Sequence, residues 1–288
     1  MKKILYISLI FLTFQACIYE KMEPVIPKLS LSGLADSALV KPESVNKYIA
    51  NTGAYWSILE SNAGSIDTSG SFTTGKKEGV FTIIAINKLN NLDTLKRKII
   101  VLNKAELFNE IKKGGHILSF RHAAASVGSD QTGSKTPDWW KSCESTLARQ
   151  ITLPIGKNQS DSTGKVIKFL KIPVDTTLTS EFCRCRQTTE YFNLGVPNKT
   201  VKELTYLVYE ESARYENTMK LFANRPVGTK NYIAVGHSGY GKTPIPAPLA
   251  TLEWGDCAVF QQVAVGTEPK FIQTIKVKEW TELAKVLK

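Results

Sequence analysis

The sequence predicts an α/β domain built on a mostly parallel sheet, with a small all-β sandwich in front of it. Three observations carry this. From residue 103 onward, apolar runs of strand length alternate with stretches of helical periodicity, which implies a parallel sheet covered on both faces. Residues 25–102 instead hold several short strands at close spacing, separated by Gly, Ser and Thr. Two of the three histidines end apolar runs, Ile117-Leu118-Ser119-Phe120-Arg121-His122 and Tyr232-Ile233-Ala234-Val235-Gly236-His237. A histidine that follows a buried strand directly stands at the rim of the sheet, where open α/β sheets bind ligands.

The chain begins with Met1-Lys2-Lys3 and an apolar stretch over 4–14, too short to span a bilayer as a helix and fitting a signal peptide. That stretch ends in Phe14-Gln15-Ala16-Cys17. A small residue before a cysteine resembles the lipobox of bacterial lipoproteins, whose cysteine is lipidated after cleavage; Gln15 departs from the usual pattern. Residues 1–16 therefore read as a lipoprotein-type signal peptide and 17–24 as a linker. The mature protein is expected to be exported and anchored to a bacterial membrane through a lipid on Cys17, facing the periplasm or the outside.

The whole chain of 288 residues carries a net charge of +11. Removing residues 1–16 takes away Lys2 and Lys3 and no acid, which leaves +9. A basic surface suits anionic substrates and lipid head groups. Nucleic acid is not expected as a partner, because the charge is spread along the chain with no basic run or aromatic-basic module.

Strand-like segments at 28–32, 79–86 and 98–102 make up the front domain, 25–102, with Trp56 as a core residue. The stretch from Gly64 to Phe72 leading into 79–86 looks like a bacterial immunoglobulin-like module, most simply a spacer between the membrane and the second domain. The pattern changes at Asn103, which opens the second domain, 103–288. Asn103 with Glu106 reads as a capping pair for a helix over 104–113, whose Leu107 and Ile111 share a face. Gly114-Gly115 stops it, and a strand over 116–120 follows. Helical stretches near 163–170, 184–193 and 209–223 lead to a strand over 231–236. Strand-like runs at 257–264 and 271–277 precede a last helix near 278–287.

Between the two histidine segments lies Ser180-Glu181-Phe182-Cys183-Arg184-Cys185-Arg186-Gln187-Thr188-Thr189-Glu190. Arg121-His122-Ala123, Arg184 with Thr188 four positions on, and Gly236-His237 occur in the order of the three signatures of the histidine phosphatase superfamily, also called the phosphoglycerate mutase-like fold. The resemblance covers about residues 103–288 and implies a three-layer α/β domain that hydrolyses phosphoric monoesters with no cofactor and no metal. It implies that His122 attacks phosphorus and becomes phosphohistidine, its other ring nitrogen held by a backbone acceptor. Arg121 and Arg184 would grip the phosphoryl oxygens with planar forks, and His237 would donate to an oxygen as charge develops. Preorganised donors of this kind each lower the barrier by roughly 3–4 kcal/mol.

The general acid has no fixed place in the resemblance. One branch has an aspartate directly after the later histidine, where Ser238 stands here. Glu203, Glu253 and Asp256 are the candidates, and Asp256, in a loop before a strand, is the narrow choice. His116 shares no motif and reads as structural, and Arg186 points elsewhere on its helix. With Cys17 lipidated, Cys143, Cys183, Cys185 and Cys257 are left; Cys183 and Cys185 are too close in sequence to pair with each other, and the other pairings stay open alongside buried free thiols. Metal binding has little support without a Cys-x-x-Cys motif or a histidine cluster.

Gly236-His237-Ser238-Gly239-Tyr240-Gly241-Lys242-Thr243 also satisfies the nucleotide-binding P-loop formula, a chance match of about one in a hundred. That formula needs a helix opening at Lys-Thr. Pro244, Pro246 and Pro248 follow at once and remove that helix. A second reading of the whole chain is a surface lipoprotein that binds a phosphorylated glycan or other anion with weak turnover or none. A mutase is a third. Substrate identity is not written in the sequence beyond a phosphorylated small molecule or glycan.

Overall fold

The computed structural model describes residues 25–238 and 247–287. The signal-peptide and lipidation readings on residues 1–24, Cys17 included, lie outside the described residues. So do positions 239–246, which hold most of the P-loop formula.

Eight strands form the front of the chain: β1 (Leu31–Gly33), β2 (Ala38–Val40), β3 (Val45–Ala50), β4 (Ala54–Ile58), β5 (Gly64–Ile66), β6 (Ser71–Thr74), β7 (Gly79–Asn87) and β8 (Asn90–Val101). They make two four-stranded sheets, in the orders β1-β3-β6-β5 and β2-β8-β7-β4. Strand β7 shows why: Phe81, Ile83 and Ala85 alternate inward while Thr82 and Ile84 are half-buried, the period of a strand with one covered face. Tyr48 and Phe72 from one sheet meet Phe81, Ile83 and Ile99 from the other. Trp56 on β4 is half-buried against this core, its ring 6.2 Å from Tyr48. Gly70 is required there: its φ is +81°, and a Cβ would lie 2.5 Å from the Tyr48 carbonyl oxygen and 2.8 Å from the Trp56 ring.

The second part alternates helix and strand: α1 (Ala105–Lys113), β9 (His116–Arg121), α2 (Ile155–Phe169), β10 (Val174–Thr179), α3 (Cys183–Phe192), β11 (Asn198–Thr200), α4 (Arg214–Ala223), β12 (Asn231–Gly236), α5 (Ala247–Ala250), β13 (Cys257–Gln261), β14 (Lys270–Ile275) and α6 (Val277–Val286). One six-stranded sheet has the order β11-β10-β12-β9-β13-β14. The first four pair in parallel, and β13 runs antiparallel to both of its neighbours. The sheet is therefore mixed but mostly parallel.

Both faces of this sheet are covered. Leu118, Phe120 and Val235 pack against Phe108 of α1, Val166 of α2, Phe192 of α3 and Trp280 of α6. Ile117, Ala234 and Phe260 point the other way, onto Tyr215 and Phe222 of α4 and Leu249 of α5. Consecutive residues of β9 thus feed opposite cores, as the two-residue period of a strand demands. Full burial of one such large apolar side chain stabilises by about 1.5–3 kcal/mol. The sandwich joins the first of these cores, because Leu39 and Ile100 pack in it beside Leu102 and Phe108.

Several local expectations change. Asn103 does not cap α1: Lys104 stands at the cap without a side-chain bond, and the Asn103 amide donates to the Glu78 carboxylate at 2.6 Å. Helix α2 begins at Ile155, well before the expected 163, under polar residues that mask its apolar face. Helix α4 begins at Arg214, after a short 3-10 turn. Strand β10 was not expected, since its Val-Asp-Thr-Thr-Leu-Thr sequence depends on β-branched threonines more than on apolar alternation. Cys143 and Cys183 form a disulfide with Cα atoms 5.2 Å apart, and Cys185 and Cys257 are free and buried.

Candidate active site

Strands β9 and β12 are adjacent and parallel, with Arg121 opposite Gly236. Each leads directly into its histidine, and the His122 amide donates to the Gly236 carbonyl at 3.0 Å. This pairing brings the two imidazole rings to a centroid separation of 5.3 Å. Beside them, the strand β10 ends in a short turn into α3, which sets Arg184 in the first turn of the helix. Arg121, His122, Arg149, Arg184, Tyr206, His237, Ser238 and Trp254 line one cavity of about 130 Å³. Arg121, His122, Arg184 and His237 are thus gathered in a single cavity.

The hydrogen bonds fix the protonation of His122. Its Nδ1 lies 2.8 Å from the carbonyl oxygen of Ala123. A carbonyl only accepts, so Nδ1 carries the ring proton and Nε2 keeps its lone pair. Nε2 accepts from Arg184 Nε at 3.2 Å. Burial first, and the Arg184 guanidinium second, hold the proton affinity of this imidazole well below the ordinary 6.5. The ring is neutral at pH 7, with its free electron pair facing a guanidinium.

Thr188 holds that geometry from behind. Its hydroxyl donates to the Arg184 carbonyl at 2.7 Å and accepts the Ala123 amide at 3.0 Å. The peptide that orients His122 is thereby tied to the helix that carries Arg184. Ala123 acts here through its backbone.

His237 is also neutral, its proton affinity pulled well below 6.5 by burial and then by Arg184. Its Nε2 lies 3.0 Å from Ser180 Oγ, which already accepts the Phe182 amide at 3.3 Å. The Cys185 thiol sulfur lies 3.5 Å from the same nitrogen. Arg121 donates from Nη1 to the Leu252 carbonyl at 3.1 Å, and its guanidinium faces the Trp254 ring at 5.6 Å.

Asp256 corrects an expectation. Its carboxylate is fully buried, accepts the Glu253 and Val277 amides at 3.0 and 2.8 Å, and pairs with Lys276 Nζ at 2.8 Å. It fixes the start of α6 and does not line the cavity. The sequence placed its loop correctly at the sheet edge, but the first turn of the next helix binds the side chain. Replacing Asp256 by asparagine is expected to destabilise the fold by about 1–3 kcal/mol. Turnover of the folded fraction should stay within about tenfold of wild type, whereas losing a general acid costs about 10²–10⁴. Urea unfolding and turnover on the same preparation separate the two. Glu203 lines a different cleft, of about 630 Å³, beside α4, and Glu253 is exposed.

Two residues of the site were not foreseen, Arg149 and Tyr206. Both sit in irregular segments, where neither period nor strand end marks them. Arg186 turns away from the cavity, as expected, and donates to the Lys141 carbonyl. His116 is buried, with Nδ1 2.8 Å from the Gly114 carbonyl.

No family model matches the chain, and no curated protein matches it. Solved structures resemble it in part. The protein histidine phosphatase SixA, complexed with tungstate, is 18% identical with a TM-score of 0.40, covering 57% of this chain and 97% of that one. The alpha-ribazole phosphatase from Shigella flexneri is 13% identical with a TM-score of 0.36, covering 55% and 99%. A mycobacterial glucosyl-3-phosphoglycerate phosphatase complexed with VO3 is 12% identical with a TM-score of 0.37, covering 55% and 97%.

Proposed function

We propose that this chain is a histidine phosphatase: a phosphoric monoester hydrolase that works through a phosphohistidine on an extracytoplasmic phosphorylated substrate. One observation carries the reading. The unprotonated His122 Nε2, which accepts the Arg184 Nε–H at 3.2 Å, lies in a cavity lined by three arginines and a second imidazole, and that N–H would turn to a phosphoryl oxygen as Nε2 attacks. Nε2 would attack phosphorus as the bond to the ester oxygen breaks and that oxygen takes the electron pair, with Arg121, Arg149 and Arg184 holding the phosphoryl oxygens and His237 donating from its protonated ring nitrogen. Water would then attack phosphorus, the electron pair of the P–N bond would return to Nε2, and the proton lost by water would go to a phosphate oxygen or to the departed phenolate or alkoxide.

The export reading draws support from the Cys143–Cys183 disulfide, since such bonds persist outside reducing compartments. The anchor on Cys17 rests on the sequence. We read the front domain as immunoglobulin-like, because its strand orders β1-β3-β6-β5 and β2-β8-β7-β4 follow the two-sheet arrangement of that fold with Trp56 on the third main strand. It would act as a spacer between membrane and enzyme.

Purified protein should release phosphate from an aryl phosphate with no added metal, and full-length protein should leave the membrane fraction when Cys17 is replaced by alanine. A second reading, an anion-binding lipoprotein without turnover, is favoured by one feature: none of the eight residues lining the cavity is a carboxylate. Vanadate binding with no hydrolysis of any phosphate ester would select that reading; clear turnover removes it.

A further inference from the structure

We infer that Asp130 is a positioning residue, which holds the far edge of the Arg184 guanidinium so that its Nε edge faces His122. The inference rests on the cavity being an oxyanion site and names the part that aims it. Arg184 is nearly fully buried, and a buried guanidinium needs both a counter-charge and a fixed orientation. Asp130 supplies both. Its Oδ1 accepts Arg184 Nη1 at 2.9 Å, and its Oδ2 accepts the Tyr206 hydroxyl at 3.0 Å. That hydroxyl in turn accepts Arg184 Nη2 at 2.8 Å.

The three groups close a ring on the side of the guanidinium away from His122. The guanidinium carbon of Arg184 lies 4.4 Å from the centroid of the Phe182 ring. With both Nη atoms tied back, Arg184 has one orientation, and in it Nε reaches His122 Nε2. Asp130 is not among the residues that line the cavity; its carboxylate is taken up by Arg184, Tyr206 and the Arg149 amide.

The same carboxylate reaches a second arginine. Oδ1 also accepts the Arg149 amide at 3.0 Å. One side chain therefore sets the guanidinium of Arg184 and the backbone from which Arg149 enters the cavity. Both Asp130 and Arg149 belong to the irregular segment after His122, which the Cys143–Cys183 disulfide fastens to the first turn of α3. That segment has almost no regular structure of its own, so its register against α3 depends on such ties.

The test has two readouts. The first is the Arg184 Nε–H correlation in nitrogen-edited NMR, which needs no ligand. The second is the dissociation constant of orthovanadate by calorimetry. Asp130→Ala should lose the slowly exchanging Arg184 Nε–H signal and weaken vanadate binding by about tenfold. Tyr206→Phe should do so less, and the double variant should fall short of the product of the two, because both act on one guanidinium. In an Arg184→Ala background, Asp130→Ala should weaken vanadate binding far less than it does in wild type, the remainder passing through the Arg149 backbone.

Asp130→Asn, which keeps one acceptor oxygen, should rescue part of the loss and guards against a folding failure of the alanine variant. An unchanged Nε–H signal in Asp130→Ala overturns the inference. So does tighter vanadate binding, which would make Asp130 a competitor for the oxyanion, or an equal loss without Arg184. If wild type binds no vanadate but loses the signal in Asp130→Ala, the positioning role stands and the phosphatase reading falls.

Discussion

Replacing His122 by alanine is expected to lower turnover by at least about 10⁴-fold. His237, the other imidazole of the described cavity lining, has its Nε2 engaged with Ser180 Oγ at 3.0 Å, whereas the Ala123 carbonyl fixes the His122 tautomer with Nε2 unprotonated. The acid-labile, base-stable phosphoprotein seen by rapid quench in wild type should vanish as well. Replacing His237 should cost only about 10²–10³ and leave that phosphoprotein detectable, because it removes a donor and spares the nucleophile. The pH profile gives an independent check. Protonation fills the His122 lone pair, so activity falls in acid. Because burial and Arg184 lower the folded-state proton affinity well below 6.5, the fall begins below pH 6.5. Stability follows the same sign. Below about 6.5 the unfolded chain binds protons at His122 and His237 that the folded chain refuses, so the fold weakens as pH drops through that window. Wild-type turnover in the His122→Ala protein would end the nucleophile assignment.

What the sequence revealed follows a physical divide. His122 and His237 were legible because a buried parallel strand is a continuous apolar run, and its end marks the rim of the sheet. Arg184 was legible through its motif. Arg149, Tyr206 and Asp130 were not. They lie in segments whose shape comes from single long-range ties, such as the disulfide and the Asp130–Arg184 pair, and such ties leave no periodic trace. Asp256 illustrates a different blindness. A carboxylate just before a strand looks free in the sequence. The amide of Val277, 21 residues later, takes it up only after the β13–β14 hairpin has brought α6 back to the same edge. The front sandwich was readable as short strands, yet the partition of those strands between two sheets came only with the fold.

Leaving-group chemistry should divide substrates sharply. Aryl phosphates are expected to react about 10²–10⁴ times faster than alkyl phosphates of similar size, the span that a general acid otherwise supplies. The reason lies in where each candidate proton goes. Both imidazoles are held neutral, so neither is an imidazolium acid at pH 7. Asp256 is bound to α6, and Asp130 accepts from Arg184 and Tyr206. Burial pushes the Tyr206 hydroxyl up to about 12, and its proton already points at Asp130 Oδ2. Among the described residues the cavity lining contains no carboxylate, and residues 239–246, which follow Ser238, include no Asp or Glu in their sequence. A phenolate can leave without a proton; an alkoxide leaves with great difficulty. Values of kcat/KM across substituted phenyl phosphates should therefore fall steeply as the phenol becomes less acidic, with an alkyl phosphate at the bottom of the line. A flat series would mean that an acid reaches the leaving oxygen from a side chain outside this cavity, and the acid-free account of the pocket would fail.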